Sequence, residues 1–363
     1  MTIDIKFWGV RGSVPAPLTP AQVEAKVRTA VAKLAPALPM GEVKRIYEQA
    51  VLSSPGSGVV INRDVLVELT RAYDPSLLSF AELSTFGGNT TCVEVKCSGK
   101  SEHQFILDMG TGVRELGKEM MPKAFKYKGL RGTILQSHVH WDHIQGFPFW
   151  GPLYLPRTKF DCQFDFFGGK QWDSKLDAVY RGQMDAPYFP VNLEELETSA
   201  MRMTFNTIWD EWTKTWFAHT DEKGRPEFIK AIARKLQHPQ ETFGYRIEFM
   251  NHVVAFTTDH EPYAAGVPRG LAELVNGADV WITDCQYSHD EYIGGRGPQK
   301  MGWGHSFPEY IAEVAKQTGP KLIVTTHHDP DASDERIIDL ARQVQDGCNI
   351  ETRPAYEGML VSL

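Results

Sequence analysis

Three histidines and an aspartate fall within six consecutive positions, in the pattern H-x-H-x-D-H that runs from His138 to His143. Imidazole and carboxylate are ligands that suit Zn²⁺ and that Mn²⁺ and Fe also accept. Residues 132–137 have the composition of a short buried strand, so His138 and His140 point the same way and can hold one ion. Asp142 and His143 follow a turn of the chain and are expected to face a second ion. The pattern therefore predicts a metal centre at the end of a strand.

The chain has 363 residues, which is enough for one large domain or two of medium size. Its 42% hydrophobic and 23% charged residues are typical of a soluble globular protein. The net charge of −8 disfavours a protein that grips long nucleic acid, because such proteins usually carry a basic surface. A local basic groove stays compatible with this charge, so nucleic acid is disfavoured as a partner and not excluded.

The five cysteines are scattered and include no C-x-x-C pair. An odd, scattered set indicates reduced thiols in a cytosolic protein. The amino-terminal residues lack the basic and apolar regions of a signal peptide. No window approaches the ~20 apolar residues of a membrane span. The predicted location is the cytoplasm, with no membrane partner.

Short β-rich runs and amphipathic helical patterns alternate in the later part of the chain, whereas strands dominate the early part. This order predicts an α/β fold in which two packed sheets are covered by helices. The predicted strands are residues 3–8, 92–97, 104–108, 132–137, 244–249, 253–258, 280–284, 322–326 and 359–362, and the predicted helices are residues 266–276, 308–317 and 333–345.

Two segments interrupt this plan. Residues 18–85 have helical stripes at 21–38 and 63–72 and are predicted to be a helical insertion. Residues 151–237 are predicted to be a second insertion. It contains Trp209, Trp212 and Trp216 at i, i+3 and i+7, a spacing that favours the buried face of a helix over a platform for nucleobases. A lid and a homodimer surface are both compatible with these insertions.

A two-metal site needs further ligands, and histidines and aspartates near the ends of later strands can supply them. His238 precedes the predicted strand at 244–249, and Asp259 closes the strand at 253–258. His327 and His328 both follow the strand at 322–326. Adjacent residues on extended backbone point to opposite sides, so one of the last pair is expected to reach the metals.

Three segments carry a resemblance to a known family. They are Phe7-Trp-Gly-Val-Arg-Gly-Ser-Val-Pro15, Phe86-Gly-Gly-Asn-Thr-Thr-Cys-Val-Glu94 and Leu107-Asp-Met-Gly-Thr-Gly112. With the histidine pattern, they resemble the metallo-β-lactamase superfamily, in its branch similar to tRNase Z and metal-dependent cyclic-nucleotide phosphodiesterases. The resemblance covers nearly the whole chain apart from the two insertions. It implies one domain over residues 1–363, folded as a four-layer αββα sandwich with helical insertions.

The resemblance also implies a ligand set for two divalent ions, with Zn²⁺ the favoured metal and Mn²⁺ or Fe as alternatives. The first ion would be held by His138, His140 and His238. The second would be held by Asp142, His143 and His327, with His327 favoured over His328. Asp259 matches the aspartate that bridges the two ions in the family.

Two more segments resemble the part of the family that cleaves phosphodiesters. Residues 302–306 resemble a histidine–serine loop that places a general acid, and residues 282–287 resemble the acidic motif that orients it. The resemblance implies that His305 protonates the leaving alkoxide and that Asp284 holds His305, so Asp142, His305 and Asp284 are the predicted catalytic residues. Arg11 and Arg246 are candidates for phosphate contact, and Arg246 is equally compatible with a structural ion pair.

The predicted function is a dinuclear metal-dependent phosphodiesterase that hydrolyses a small phosphodiester, most favourably a cyclic nucleotide, by attack of metal hydroxide. Ribose alkoxide is a poor leaving group and needs a proton donor, which strained lactones need less. Three alternatives stay open: a carbon-ester or lactone hydrolase of the same superfamily, an RNA-processing nuclease similar to tRNase Z, and a metal-binding sensor without catalysis. No basic protruding arm of the sort that grips tRNA is found in the sequence, and the acidic charge favours a small substrate.

Overall fold

The computed structural model describes residues 2–34, 84–99, 102–220 and 224–363. The chain divides into two compact units, one of Met1–Pro17 with Phe86–Leu363 and the other of Leu18–Thr85. In the described part of the second unit, helix α1 covers Pro20–Leu34 and begins with reciprocal hydrogen bonds between Thr19 and Gln22. Among the described residues, no helix has the length and apolar character needed to cross a bilayer.

The described residues of the first unit form two sheets of seven strands each. The first sheet has the order β14-β1-β2-β3-β4-β5-β6, and the second has the order β13-β12-β11-β10-β9-β8-β7. The strands are β1 (Thr2–Gly9), β2 (Cys92–Ser98), β3 (Glu102–Leu107), β4 (Gly129–Leu135), β5 (Asp161–Gly169), β6 (Arg202–Ile208), β7 (Thr213–Thr220), β8 (Pro226–Leu236), β9 (Thr242–Phe249), β10 (His252–Thr257), β11 (Val280–Asp284), β12 (Leu322–Thr326), β13 (Thr352–Pro354) and β14 (Leu360–Ser362).

Eight helices accompany the sheets in the described part of the first unit. They are α2 (Val113–Tyr127), α3 (Trp141–Ile144), α4 (Leu176–Gly182), α5 (Leu193–Ser199), α6 (Arg269–Val275), α7 (His289–Ile293), α8 (Pro308–Thr318) and α9 (Asp334–Cys348), and short 3₁₀ turns occupy Phe147–Phe149 and Gly151–Tyr154.

Each sheet combines parallel and antiparallel pairing. Strands β3 to β6 run parallel to one another in the first sheet, as do β10 to β13 in the second, whereas β2–β3 and β9–β10 are antiparallel pairs. Their carboxyl ends therefore lie on one edge of each sheet, which is where α/β folds commonly build their sites. Parallel strands need crossover connections, and helices such as α2, between β3 and β4, supply them.

Apolar side chains fix the helices to the outer faces of the sheets. One cluster joins α2 and the turns after α3 to the first sheet, through fully buried Trp150, Phe147 and Phe164. A second cluster joins α6, α8 and α9 to the second sheet, with Trp281 and Ile311 fully buried. The two-sheet sandwich covered by helices is confirmed.

The second predicted insertion needs correction. Residues 151–237 supply β5 and β6 to the first sheet and β7 and β8 to the second, so they extend the sandwich itself. The predicted tryptophan helix is wrong, because Trp216 lies in β7 and Trp209 and Trp212 lie in the turn before it. The spacing i, i+3 and i+7 is therefore compatible with one face of a helix and also with a turn followed by a strand. The predicted helix at residues 63–72 lies outside the described residues.

Candidate metal centre

Three residues that end strands share an unusual backbone conformation. Asp108 follows β3 with φ of 63°, Asp259 follows β10 with φ of 60°, and His327 follows β12 with φ of 55°. A left-handed conformation is costly for residues other than glycine, and such positions cluster at functional sites. Here the turn redirects each side chain from the strand end towards one buried cluster.

The first group of the cluster contains three histidines. Nδ1 of His140 lies 3.0 Å from Nε2 of His138 and 3.0 Å from Nε2 of His238. His138 and His140 lie in the segment of residues 136–140 that follows β4, and the β8–β9 connection brings His238 to them. Three ring nitrogens directed at one point are the arrangement of a metal triad.

The second group contains Asp142, His143 and His327. Nε2 of His327 lies 3.0 Å from Oδ2 of Asp142 and 3.2 Å from Nε2 of His143. Helix α3 begins directly after His140, so its first turn carries Asp142 and His143 to a different side of the cluster from the first group. Asp142 also accepts a hydrogen bond from the backbone N–H of Ser13, at 2.8 Å.

Asp259 lies between the two groups. Its Oδ2 is 3.6 Å from Nε2 of His138 and 3.3 Å from Nε2 of His143, and its Oδ1 is 3.3 Å from Nε2 of His327. One carboxylate therefore faces both triads. The structure brings together all seven residues predicted as metal ligands.

Asp108 is a component of the site that the sequence reasoning did not assign. It is fully buried and accepts hydrogen bonds from the backbone N–H and the hydroxyl of Ser137, both at 2.7 Å, and from Nε2 of Gln136 at 2.8 Å. Its Oδ2 also lies 2.7 Å from Nδ1 of His143. A carboxylate on Nδ1 fixes the tautomer that leaves Nε2 free for a metal. The D-x-G turn at residues 108–110 was the available signal in the sequence.

Asp284 and His305 lie beside the cluster. Nδ1 of His305 is 3.5 Å from Oδ2 of Asp284 and 4.0 Å from Oδ2 of Asp259. Asp284 ends β11 and also accepts a hydrogen bond from the backbone N–H of Ser306, at 2.9 Å. A second histidine, His260, places Nδ1 3.2 Å from Oδ1 of Asp284. The sequence reasoning did not assign this role to His260.

The electrostatics of the buried groups follow from their neighbours. Burial, together with neighbouring histidines, holds the pKa of His138 well below its usual value. Burial also lowers the pKa of His238 to about 4, which favours the neutral ring that can bind a metal. Burial opposes ionisation of Asp284, but the neighbouring rings of His260 and His305 outweigh it and lower the carboxyl pKa. Asp284 therefore stays a carboxylate.

His143 differs from the other histidines of the cluster. Burial alone would lower its pKa, but Asp259, Asp142 and Asp108 surround the ring and raise the pKa well above the usual value. Each of these carboxylates favours positive charge at this point. A divalent ion would satisfy the same electrostatic demand with the ring neutral.

His328 points away from the cluster. Its Nε2 lies 2.9 Å from the carbonyl oxygen of Ala355, and its ring contacts Phe86 edge-on. Burial lowers its pKa to about 3. The choice of His327 over His328 therefore agrees with the geometry, since His327 alone of the pair has a nitrogen within reach of Asp142.

The two arginines predicted to contact phosphate are engaged elsewhere. Arg11 is 3% exposed and donates to the carbonyl oxygens of Gly87 and Asp329, at 2.9 and 3.0 Å. Arg246 donates to Glu248 at 2.6 Å and to the carbonyl oxygen of Asn276, after the end of α6, at 2.8 Å. Both guanidinium groups serve the fold, so the expected phosphate contact is wrong for Arg11, and Arg246 is the structural ion-pair partner. The sequence shows an isolated arginine beside a glycine or within a strand, but it does not show which groups that arginine contacts in the fold.

Nitrogen and carboxylate donors fit divalent transition metals better than they fit Ca²⁺ or Mg²⁺, which prefer oxygen ligands throughout. In each of the two triads the donor atoms lie within 4.8 Å of one another. Two glycines permit this packing. A Cβ at Gly12 would lie 2.4 Å from Nδ1 of His327, and one at Gly304 would lie 1.9 Å from Nδ1 of His238.

Comparisons with known proteins agree with this geometry. Ribonuclease BN of Cronobacter sakazakii is 22% identical over 281 residues, which cover 66% of this chain and 83% of that protein. The metallo-β-lactamase fold protein YhfI from Bacillus subtilis superposes with a TM-score of 0.56 at 13% identity, over 100% of both chains. Zn²⁺-bound PqqB from Methylobacterium extorquens superposes with a TM-score of 0.55 at 14% identity, over 99% of this chain and 100% of that one.

The structural likenesses show the fold, which is the predicted metallo-β-lactamase sandwich. The family assignment comes from a sequence model described as a beta-lactamase superfamily domain, which matches residues 103–328. That range covers more than half of the chain and contains both triads, Asp259, Asp284 and His305. The protein therefore belongs to the β-lactamase superfamily, a family of metal-dependent hydrolases whose fold binds divalent metals.

Proposed function

We propose that this chain is a dinuclear metal-dependent phosphodiesterase that acts on a small diester, most favourably a cyclic nucleotide. The observation that carries the proposal is the pair of Asp284 and His305 beside the two triads, because a proton donor is what the cleavage of an unactivated phosphodiester requires. The ligand roles of His138, His140 and His238, and of the second triad, belong to the same proposal.

The two triads would each hold one ion, with Asp259 in contact with both. When bound, two divalent ions would lower the pKa of water and stabilise the negative charge that develops on a phosphoryl group. Asp108 keeps Nε2 of His143 unprotonated for its ion, and Gly304 fixes His238 through its carbonyl oxygen, 3.0 Å from Nδ1.

His305 would donate its proton from Nε2 to the oxygen of the leaving alcohol. Asp284 lies 3.5 Å from the other ring nitrogen, a distance that is long for a hydrogen bond and that we expect to shorten when substrate is bound. The carboxylate would then favour the protonated ring and fix its direction. The backbone N–H of Ser306 and the ring of His260 hold Asp284 on its other sides.

The test of this proposal is a hydrolysis panel with metal-replete protein. The substrates are 3′,5′- and 2′,3′-cyclic nucleotides, bis-p-nitrophenyl phosphate, a lactone and a cephalosporin. We expect turnover of the cyclic nucleotides and of bis-p-nitrophenyl phosphate. Turnover of the lactone or cephalosporin with no diester cleaved would instead identify a carbon-ester or amide hydrolase.

The role of His305 has its own test within that panel. We expect His305→Ala to lower kcat on a cyclic nucleotide by about 10²- to 10⁴-fold, the usual contribution of a general acid. The loss should be much smaller with bis-p-nitrophenyl phosphate, since p-nitrophenolate leaves without a proton. His289→Ala is the matched control, because His289 is an exposed histidine near the same loop. An equal loss on both substrates would exclude the acid role.

An RNA-processing nuclease is a second candidate function. The similarity to ribonuclease BN supports it, and the net charge of −8 speaks against it. The discriminating measurement is binding and cleavage of a tRNA precursor as a function of salt. Tight, strongly salt-dependent binding with cleavage would favour the nuclease, whereas binding absent at moderate salt would favour the small diester.

A further inference from the structure

The cluster has one side that is more exposed than the rest. His138 and His327 are each 1% exposed, whereas His140 and His238 are only partly buried. His238 contacts the carbonyl oxygen of Gly304. The chain immediately before Gly304 therefore lies beside the open side of the cluster, where a substrate would enter.

A lysine and two aromatic rings occupy that chain segment and its neighbour. Nζ of Lys300 lies 3.8 Å from the ring centroid of Trp303 and 5.5 Å from that of Tyr287. A turn closes the segment, with the N–H of Trp303 donating to the carbonyl oxygen of Lys300 at 3.0 Å. Gly302 and Gly304 flank the tryptophan with φ of 86° and 90°. This backbone holds the ammonium group against the rings.

The ammonium group of Lys300 forms no ion pair with a carboxylate of the described residues. Within residues 2–34, 84–99, 102–220 and 224–363, the ion pairs include no partner for Lys300, whose Nζ contacts are the two rings. Glu261 accepts hydrogen bonds from the N–H of Gly302 and from the hydroxyl of Tyr292. A half-buried ammonium without a counter-ion is suited to an incoming anion.

The rings also fix where this charge lies relative to His305. The ring centroid of Tyr287 is 5.8 Å from that of His305, and Lys300 contacts the same tyrosine. Tyr287 is 4% exposed and is held at this position. Tyr287 therefore lies between the ammonium group of Lys300 and the ring of His305, the proposed proton donor.

We propose that Lys300 binds a second anionic group, a phosphate, carried by the leaving alcohol of the substrate. The inference rests on the proposed function and narrows it to diesters with a further phosphate, such as a cyclic nucleotide that is also phosphorylated elsewhere on the ribose. Trp303 and Tyr287 are positioning residues, which restrict the lysine to one direction. A neutral lactone has no anionic group for Lys300 to bind, so this contact would not increase its affinity.

The test uses binding of product-like ligands and does not need turnover. Calorimetry compares a nucleoside 3′,5′-bisphosphate with the 3′- and 5′-monophosphates on the metal-loaded full chain. We expect the bisphosphate to bind about five- to tenfold more tightly than either monophosphate, the gain of one favourable ion pair. Lys300→Met should abolish that preference and leave the affinity for the monophosphate that binds the metals unchanged.

Two further variants complete the test. Lys300→Arg should retain most of the preference, and Lys316→Met, which removes an exposed lysine of α8, should leave it unchanged. A bisphosphate preference that survives in Lys300→Met would overturn the inference. The proposed function fails separately, when the wild-type protein cleaves no diester of the hydrolysis panel.

Discussion

The substitution Asp108→Asn perturbs the centre without removing a proposed ligand. The carboxylate of Asp108 accepts four hydrogen bonds, and two of them, from the hydroxyl of Ser137 and from Nδ1 of His143, meet at Oδ2. An amide can accept at one atom only and donates at the other. The Ser137 hydroxyl can rotate in response, but the His143 ring can adapt only by moving its proton from Nδ1 to Nε2.

The proton on Nε2 would occupy the position that faces Asp142 and His327. Restoring the metal-binding tautomer leaves a buried donor on Nδ1 unsatisfied, which costs about 1–3 kcal/mol. That range agrees with the roughly 10- to 100-fold loss of metal affinity usual for such partners of a ligand. The loss is expected at the second triad, with the first triad nearly unaffected.

The assay is a calorimetric Zn²⁺ titration of the metal-free protein, with the bound metal counted by mass spectrometry. We expect two binding events in the wild type. In Asp108→Asn we expect both events as well, with the affinity of one of them lowered. Asp165→Asn is the matched control, because Asp165 lies in β5 of the same sheet and accepts its hydrogen bond from the hydroxyl of Thr204. Wild-type affinity for both ions in Asp108→Asn would refute the tautomer argument.

Three further predictions concern the same centre. His327→Ala should lose one of the two ions, whereas His328→Ala should keep both. His328→Ala should also lower the free energy of unfolding by about 1–3 kcal/mol, because it leaves the carbonyl oxygen of Ala355 without a partner. Metal analysis and urea unfolding of the two variants test this prediction. Gly304→Ala should weaken metal binding, because its Cβ would lie 1.9 Å from Nδ1 of His238, whereas a Cβ at Gly302, with φ of 86°, meets nothing within 4 Å and costs backbone strain alone; equal metal affinity in the two alanine variants would contradict this. Removal of bound metal by a chelator should lower Tm, since a ligand at 100 times its Kd stabilises the folded state by about 2.7 kcal/mol; an unchanged Tm in differential scanning calorimetry would count against a structural contribution of the ions.

The sequence identifies the strands near the centre well, because each combines apolar residues with a distinct end. The strands predicted at 280–284 and 322–326 match β11 and β12. Strands β5 to β8 were missed because they lie in the segment predicted to be an insertion, although β5 alternates polar and apolar residues as a half-buried strand does. Helix α2 was missed as well, with Pro122 within its amphipathic pattern.

For the metal centre, a dense group of histidines and aspartates was the most informative feature of the sequence. The compact pattern at His138–His143 predicts ligands because few other arrangements concentrate such side chains. Asp108 and His260 escaped prediction because their roles depend on long-range contacts, with His143 and with Asp284. The left-handed backbone at Asp259 is equally invisible in sequence, although it directs the carboxylate to both triads. Arg11 is the opposite case: the sequence suggested it for phosphate contact, but its side chain is buried away from the site.

The central claim is that the seven convergent side chains hold two ions on either side of Asp259. Anomalous diffraction at the zinc edge, from crystals of metal-replete protein, tests it most directly. We expect two peaks ~3.5–4 Å apart, one among His138, His140 and His238 and the other among Asp142, His143 and His327. A single peak, or a pair of peaks that Asp259 does not contact, would contradict the account.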